Sequence, residues 1–238
     1  MKFIAFDIET AKSVPGTDFN WRPHRPLGIS CIASMTSDCT EPQLWYSKRN
    51  DGMAASKMGQ DDLKRFLYSL RENLAEGLIP LTWNGLGFDF DILAEESGLH
   101  DICCEIAKSH VDAMFHVLCV KGFPVALKNA AAGMGVAGKL PGVEGVDAPR
   151  LWAAGEYQRV MDYVAQDVRA TLAVVQSAER TRTFQWTTRK GSVSSFPLSR
   201  GWLPVCAAME LPLPDTSWMD SPIRREDSMH WMNRKSEI

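Results

Sequence analysis

The spacing of apolar residues divides the first third of the chain into strands and one helix. Residues 2–8 alternate and are rich in Phe and Ile, which predicts a strand that opens the fold, and residues 27–35 and 43–46 predict two more. Three strands in succession favour an antiparallel meander. Apolar residues recur at helical spacing over residues 60–75, which predicts an amphipathic helix that crosses over to a strand at 78–83.

The character of the chain changes near residue 180. Helical segments are predicted before that point, at 88–97, 101–107, 112–119, 125–134 and 156–180. After it, residues 183–188 and 193–196 flank an Arg-Lys-Gly-Ser turn and predict a hairpin, and the prolines of the remaining tail exclude long helices. We therefore expect a domain at 1–180 and a C-terminal extension at 181–238, a hairpin and a Pro- and Trp-containing tail, packed on it.

Composition narrows the class of protein. The 238 residues are 45% hydrophobic and 23% charged, which is typical of a globular chain. The six cysteines form no CxxC pair, and we find neither a signal peptide nor an apolar run long enough for a membrane span, so we expect a soluble cytoplasmic protein with no membrane partner. The formal net charge of -3 argues against nonspecific coating of duplexes but is compatible with a nucleic-acid enzyme that has metal-binding carboxylates.

The first chemical signal is the segment FDIET at the end of the first predicted strand. Asp7 and Glu9 are two residues apart, so a strand presents both carboxylates on one face. Two such charges repel each other unless a cation neutralises them, and hard divalent ions such as Mg²⁺ bind carboxylate oxygens. The alternative is a solvated strand end.

The second signal is the segment WNGLGFDFD, where a strand leads through a loop with two glycines into a helix. Asn84 offers an amide to a ligand, and Asp89 is the better metal candidate of the two aspartates. Asp91 lies about 200° around the helix from Asp89, so we expect it to be a solvated charge of the first turn. A favourable interaction with the helix dipole is a sufficient explanation for either aspartate alone.

The third signal is YVAQD within the long helix at 156–180. The i,i+4 spacing places Tyr163 and Asp167 on one helix face, where a phenol and a carboxylate can enter one site. The alternative is a core tyrosine beside a surface charge. The pair becomes informative because it follows two other acidic motifs in chain order.

Together, FDIET, NGLGFD and YVAQD resemble the three exonuclease motifs of the DEDD 3′–5′ exonuclease superfamily. The tyrosine form of the third motif resembles the DEDDy branch, which includes the proofreading domains of family B DNA polymerases and stand-alone bacterial and phage relatives. The histidine that marks the other branch is absent, because its position holds Asp162. The resemblance covers residues 1–180 and implies an α/β fold with an RNase H-like mixed central sheet flanked by helices.

The resemblance also implies a function. It assigns two Mg²⁺ or Mn²⁺ ions to the carboxylates of Asp7, Glu9, Asp89 and Asp167, with all four and Tyr163 as catalytic residues. Tyr163 would orient the attacking water, since a phenol is a poor base at neutral pH. Thr10, Asn84 and Phe88 are the expected substrate contacts. The implied reaction is hydrolysis from the 3′ end of single-stranded nucleic acid, DNA in preference to RNA, releasing nucleoside 5′-monophosphates.

Several alternatives stay open at this stage. An exoribonuclease would use the same carboxylates, and a nucleic-acid-binding or scaffold module of the same fold would have no need of them. We expect Asp112 to cap a helix, and Lys128 and Lys139 either to meet phosphates or to be solvated. The basic, aromatic hairpin either binds a single strand or covers the domain, and the tail offers a docking surface for a protein partner or a second copy.

Overall fold

A mixed five-stranded sheet forms the centre of the protein in a computed structural model that describes residues 1–15, 20–138, 142 and 145–234. The strands are β1 (Phe3–Thr10), β2 (Ile29–Thr36), β3 (Gln43–Trp45), β4 (Ile79–Thr82) and β5 (Val111–Asp112). Their order is β3-β2-β1-β4-β5. The first three pair antiparallel as a meander, whereas β4 pairs parallel with β1 and with β5. The predicted meander and the crossover to a fourth strand are confirmed.

Helices flank this sheet and a hairpin follows them. The helices are α1 (Gln60–Ala75), α2 (Asp89–Ser97), α3 (His100–Ser109), α4 (Ala113–Lys121), α5 (Leu127–Met134), α6 (Ala148–Ala153), α7 (Tyr157–Thr181) and α8 (Val205–Met209). The hairpin strands β6 (Thr183–Thr187) and β7 (Val193–Pro197) pair with each other in a separate sheet. The predicted α/β class with a C-terminal hairpin is therefore confirmed. No helix of the described residues is both long enough and apolar enough to cross a bilayer.

Strand β1 carries a different core on each face. Phe3 and Ala5 belong to the core that α7 covers, while Phe6 and Ile8 belong to the core on the α1 and α2 side. The ring of Phe6 meets Phe66 of α1 edge-on at 5.5 Å between centroids. This alternation follows from the two-residue period of a strand. It fixes which face the polar residues at the end of β1 must share.

The hairpin packs on α5 and α7. A Cβ at Gly133 would lie 2.2 Å from the Trp186 backbone, so only glycine allows α5 to approach β6 this closely. Phe184, Trp186 and Phe196 are buried against the domain and belong to its core. Their ring faces are therefore used for packing, which agrees with the covering role among the two that the sequence left open.

The tail follows the surface of the same domain. Arg225 is buried and donates hydrogen bonds of 2.9 Å to the carbonyl oxygens of Met209 and Leu211. Trp231, also buried, donates its indole N–H to the carbonyl oxygen of Leu86 at 2.7 Å. Both anchoring side chains belong to a 3₁₀ helix, Arg225–Asn233.

The predicted solvation of Asp91 is wrong. Its side chain is 1% exposed and forms ion pairs with Arg25 and, from the tail, with Arg234. Two arginines from distant segments compensate the cost of burying this carboxylate. Lys128 is exposed in the first turn of α5, and Lys139 lies outside the described residues.

Candidate active site

The site begins where β1 ends beneath helix α7. Asp7 and Glu9 continue the β1 face that packs against α7, because side chains alternate along a strand. From above, α7 presents Tyr163 and Asp167, which are one helical turn apart. The sheet and the helix thus bring the first and third sequence motifs together.

An irregularity in strand pairing shapes the end of β1. Glu9 pairs with Cys31 but Thr10 pairs with Ile29, so one residue of β2, Ser30, is left over. The Ser30 hydroxyl lies 3.1 Å from the Glu9 carbonyl oxygen and 3.3 Å from that of Thr10. A bulge of this kind bends the strand and changes the direction in which its last side chains point.

The loop between β4 and α2 holds the second motif, and Asp112 fixes its shape. The carboxylate of Asp112 accepts hydrogen bonds from the backbone N–H groups of Asn84 at 3.0 Å and Leu86 at 2.9 Å. It also accepts from the N–H of Phe115 at 3.0 Å, so the predicted capping of α4 is confirmed. Asn84 adopts φ +75, a left-handed conformation that these bonds support.

A buried hydrogen-bond relay supports the same loop from below. The N–H of Gly85 donates to the Thr82 hydroxyl at 3.1 Å, which lies 3.1 Å from Nε2 of His110. His110 Nδ1 is 2.6 Å from the carbonyl oxygen of Ala107, which can only accept, so Nδ1 carries the proton. Burial lowers the pKa of His110 to about 4, which keeps the imidazole neutral. A Cβ at Gly85 would lie 2.5 Å from Thr82 Oγ1, so the relay requires glycine.

Asp89 begins α2 and links it to the end of β1. Its Oδ1 accepts a hydrogen bond from the backbone N–H of Ile8 at 3.2 Å, and the side chain is 2% exposed. Burial, and then the charge of Asp112, raise the pKa of Asp89 to about 7. This carboxyl group therefore changes protonation near neutral pH.

A cavity of about 360 Å³ collects the predicted site residues. It is lined by Asp7, Ile8, Glu9, Thr10, Asn84, Phe88, Gly145, Val146, Tyr163 and Asp167. Seven of the eight predicted site residues are in that set, and Asp89 is the exception. Glu9 and Asp167 are each 6% exposed, whereas Asp7 is half-buried and Asn84 is exposed at the rim.

The carboxylates share this cavity without forming a closed ligand set. Among residues 1–15, 20–138, 142 and 145–234, no three His, Cys, Asp or Glu side chains form a group that could hold a metal ion as they stand. The chemistry of the donors nevertheless suits one, because Asp7, Glu9 and Asp167 contribute only oxygen atoms to the cavity.

Sequence reasoning missed three cavity residues, Ile8, Gly145 and Val146, and part of the role of another residue, Asp112. Gly145 and Val146 belong to a short 3₁₀ turn, and a Cβ at Gly145 would lie 3.6 Å from the Tyr163 hydroxyl oxygen. No sequence signal marks this turn. For Asp112 the sequence indicated only the helix cap. Its hydrogen bonds to the β4–α2 loop could not be predicted, because they form only when β4 and β5 are neighbours in the sheet.

The sequence matches the model of a known protein family. The RNase_H_2 model of the RNase_H superfamily matches residues 44–178, more than half of the chain. The match includes Tyr163 and Asp167 and begins after β1 and β2. No curated protein sequence matches.

One solved structure resembles the chain in fold, and a second matches it less closely. A family B DNA polymerase from the hyperthermophilic archaeon Pyrobaculum calidifontis superposes with a TM-score of 0.51 at 18% identity, over 75% of this chain and 24% of the polymerase. The chain thus spans about a quarter of that protein's length. A product-bound exonuclease I gives a TM-score of 0.37 at 13% identity, over 75% of this chain and 43% of its own.

Proposed function

Since the chain belongs to the RNase_H superfamily, we propose that it is a metal-dependent 3′–5′ exonuclease. It hydrolyses single-stranded nucleic acid, DNA in preference to RNA, and releases nucleoside 5′-monophosphates. The observation that carries this proposal is one cavity lined by three carboxylates, Asp7, Glu9 and Asp167, together with the phenol of Tyr163. Residues 1–180 supply every described residue of that cavity, and we propose them as the nuclease domain with 181–238 as an extension.

Asp7, Glu9 and Asp167 are the proposed ligands for two Mg²⁺ or Mn²⁺ ions. Their oxygen-only donor set fits hard divalent cations, and placing carboxylates side by side in a partly buried cavity favours cation binding. When bound, such ions stabilise charge on the phosphodiester and acidify water. Asp89 is the proposed fourth ligand; one of its oxygens already holds the Ile8 amide, which fixes the end of β1.

The other cavity residues have positioning roles in this proposal. The Tyr163 hydroxyl orients the water that attacks phosphorus. Thr10 and Asn84 offer a hydroxyl and an amide to the terminal nucleotide, and Phe88 offers an apolar ring. The Phe88 ring meets Trp21 edge-on at 5.3 Å between centroids, which limits its rotation and keeps it at the cavity wall.

The proposal is tested with 5′-labelled single-stranded DNA and RNA of one sequence, in Mn²⁺, in Mg²⁺ and in EDTA. We expect a ladder that shortens from the 3′ end in either metal, faster on DNA, and no cleavage in EDTA. Asp7→Asn removes one charge from the cavity and should abolish the ladder. Asp61→Asn, at an exposed position in the first turn of α1, is the matched control and should cleave like the natural protein.

Two results would overturn the proposal. Cleavage by Asp7→Asn at the natural rate would remove the cavity from the chemistry. Absence of both cleavage and Mn²⁺ binding by the natural protein would favour a module that binds nucleic acid without hydrolysing it. A faster ladder on RNA would replace the DNA preference and leave the site assignment in place.

A further inference from the structure

A second cavity, of about 560 Å³, lies at the opposite end of α7 from Tyr163. Three arginines line it, Arg180, Arg182 and Arg200, and all three are exposed. Arg180 follows Tyr163 by 17 positions, which corresponds to about 25 Å along a helix that rises 1.5 Å per residue. We call this group of residues the arginine cluster.

The fold gathers the arginine cluster from two segments. Arg180 stands in the last turn of α7, and Arg182 caps the helix. Arg200 belongs to the segment that follows β7. A hydrogen bond of 2.8 Å from the Leu198 N–H to the Arg182 carbonyl oxygen fixes this segment beside the helix end. The indole N–H of Trp202, which donates to the Val175 carbonyl oxygen at 3.1 Å, anchors the next turn. These two hydrogen bonds therefore hold the segment that carries Arg200 beside the helix end.

The three arginines of the cluster line the cavity and, among the described residues, are not paired with carboxylates. Within the part of the chain that the structure describes, none of the three arginines forms an ion pair, and the single described carboxylate of this cavity, Glu179, lies 3.5 Å from the Met1 amine. The helix dipole favours cations at Arg180 and Arg182 but does not account for Arg200, which is outside the helix.

The conformation of Arg182 adds a second observation. It adopts φ +54, the left-handed region in which helices usually end with glycine. The chain has arginine at a position where glycine is sterically easier, so ending the helix does not by itself explain this residue type. A guanidinium there points to an anion as the ligand, because its planar fork matches phosphate oxygens.

We propose that the arginine cluster binds phosphates of the nucleic-acid strand whose 3′ end occupies the Asp7 cavity. This inference rests on the proposed function and deepens it by naming where the 5′ part of the strand is held. At about 3.4 Å per phosphate in a stacked strand, a separation of about 25 Å corresponds to roughly seven nucleotides. Strands much shorter than this reach only the first cavity.

The test measures binding and not hydrolysis. A fluorescent 20-nucleotide DNA strand is titrated with the full chain in EDTA at several NaCl concentrations. The triple variant Arg180→Gln, Arg182→Gln, Arg200→Gln is compared with a charge-matched control, Arg49→Gln, Arg65→Gln, Arg71→Gln, at exposed positions outside both cavities. Each lost phosphate contact lowers the slope of log K against log salt by about 0.7 for a single strand, so the cluster variant should lose about 2.

The outcomes separate this inference from the proposed function. A slope that falls by about 2 in the cluster variant and stays unchanged in the control supports the inference, whether or not the protein cleaves DNA. Equal slopes in the two variants overturn it even where hydrolysis is intact. A cluster variant that loses affinity for a poly-glutamate peptide and keeps its affinity for DNA also overturns it, in favour of an acidic protein segment.

Discussion

At the scale of single residues, Tyr163 serves two environments. Its ring belongs to the core under α7 and is 1% exposed, while its hydroxyl end lies at the cavity beside Gly145. The ring therefore contributes packing energy, while the proposed chemistry depends on one oxygen atom. A substitution that removes only that oxygen separates the two contributions.

Tyr163→Phe should lower kcat about tenfold or more while leaving Mn²⁺ affinity and the unfolding midpoint close to natural values. The ring stays in the core, and only the group that orients water is lost. Turnover of labelled DNA and calorimetric Mn²⁺ titration measure the two effects. Tyr157→Phe, which alters a ring at the start of the same helix, is the control. Natural turnover by Tyr163→Phe would exclude the hydroxyl from the reaction.

Asp89 makes a pH-dependent contribution to stability. Its folded pKa of about 7 lies above the ordinary value of 3.8, so the folded chain keeps a proton that the unfolded chain releases between these values. The stabilisation is present below pH 4 and is lost as the pH rises to about 7. It amounts to at most about 4 kcal/mol, at about 1.4 kcal/mol per pKa unit.

Asp89→Asn keeps an oxygen acceptor for the Ile8 amide but does not titrate. We expect its free energy of unfolding in EDTA, relative to the natural protein, to increase between pH 5 and pH 7.5. Burial lowers the pKa values of His110 and His116 to about 4, so these two groups make stability rise with pH. Both proteins have these histidines, so their contribution cancels in the difference between the two free energies of unfolding. Urea titrations at the two pH values measure it. A difference that does not change with pH would contradict the raised pKa.

At the scale of elements, the β4–α2 loop is shaped by β5 and α4. One carboxylate, that of Asp112, satisfies three backbone N–H groups from two elements, and the Thr82–His110 relay holds Gly85 beneath it. The loop has few internal bonds of its own, so its shape depends on the order of strands in the sheet. The position of Asn84 and Phe88 at the cavity follows from that order.

Asp112→Asn should cost about 1–3 kcal/mol of stability and reduce cleavage, because an amide cannot accept from all three N–H groups without turning a donor toward one of them. Urea unfolding and initial rates on labelled DNA are the measurements. Asp147→Asn is a matched control, since Asp147 precedes α6 in the same position but its side chain makes no capping hydrogen bond. Equal losses in the two variants would show that Asp112 acts only as a generic helix-end charge.

Much of this level of structure was predictable from local patterns. The α1 bounds agree with the periodicity of residues 60–75, and Tyr163 with Asp167 follows from a spacing of four. The features that the sequence did not predict are those that depend on contacts between distant segments. Asp91 was misjudged because its partners, Arg25 and Arg234, come from the two ends of the chain, and the Gly145 turn meets Tyr163 only after α7 has packed on the sheet.

At the scale of the whole molecule, the tail contacts the loop between β4 and α2. Arg225 fastens the tail to the end of α8, Trp231 to the Leu86 carbonyl, and Arg234 to the first turn of α2. Two of these contacts reach the second motif itself, at Leu86 and Asp91. The extension is therefore part of what holds the loop in shape.

Trp231→Phe should lower stability by about 1–3 kcal/mol and speed proteolysis of the tail, because a buried ring shrinks and the Leu86 carbonyl loses its donor. Limited proteolysis and urea unfolding measure these effects. Trp218→Phe changes a residue that is 65% exposed and should alter neither. A cleavage rate of the tail that matches in both variants would mean that the Leu86 contact does not hold the tail in place.

The contact between Trp231 and Leu86 also sets an order of events during synthesis. A ribosome makes the chain from its N-terminus, so the β4–α2 loop emerges long before the indole that completes its hydrogen bonding. Until residue 231 leaves the exit tunnel, the loop lacks the hydrogen bond that the indole of Trp231 donates. Completion of this loop is thereby tied to the synthesis of residue 231.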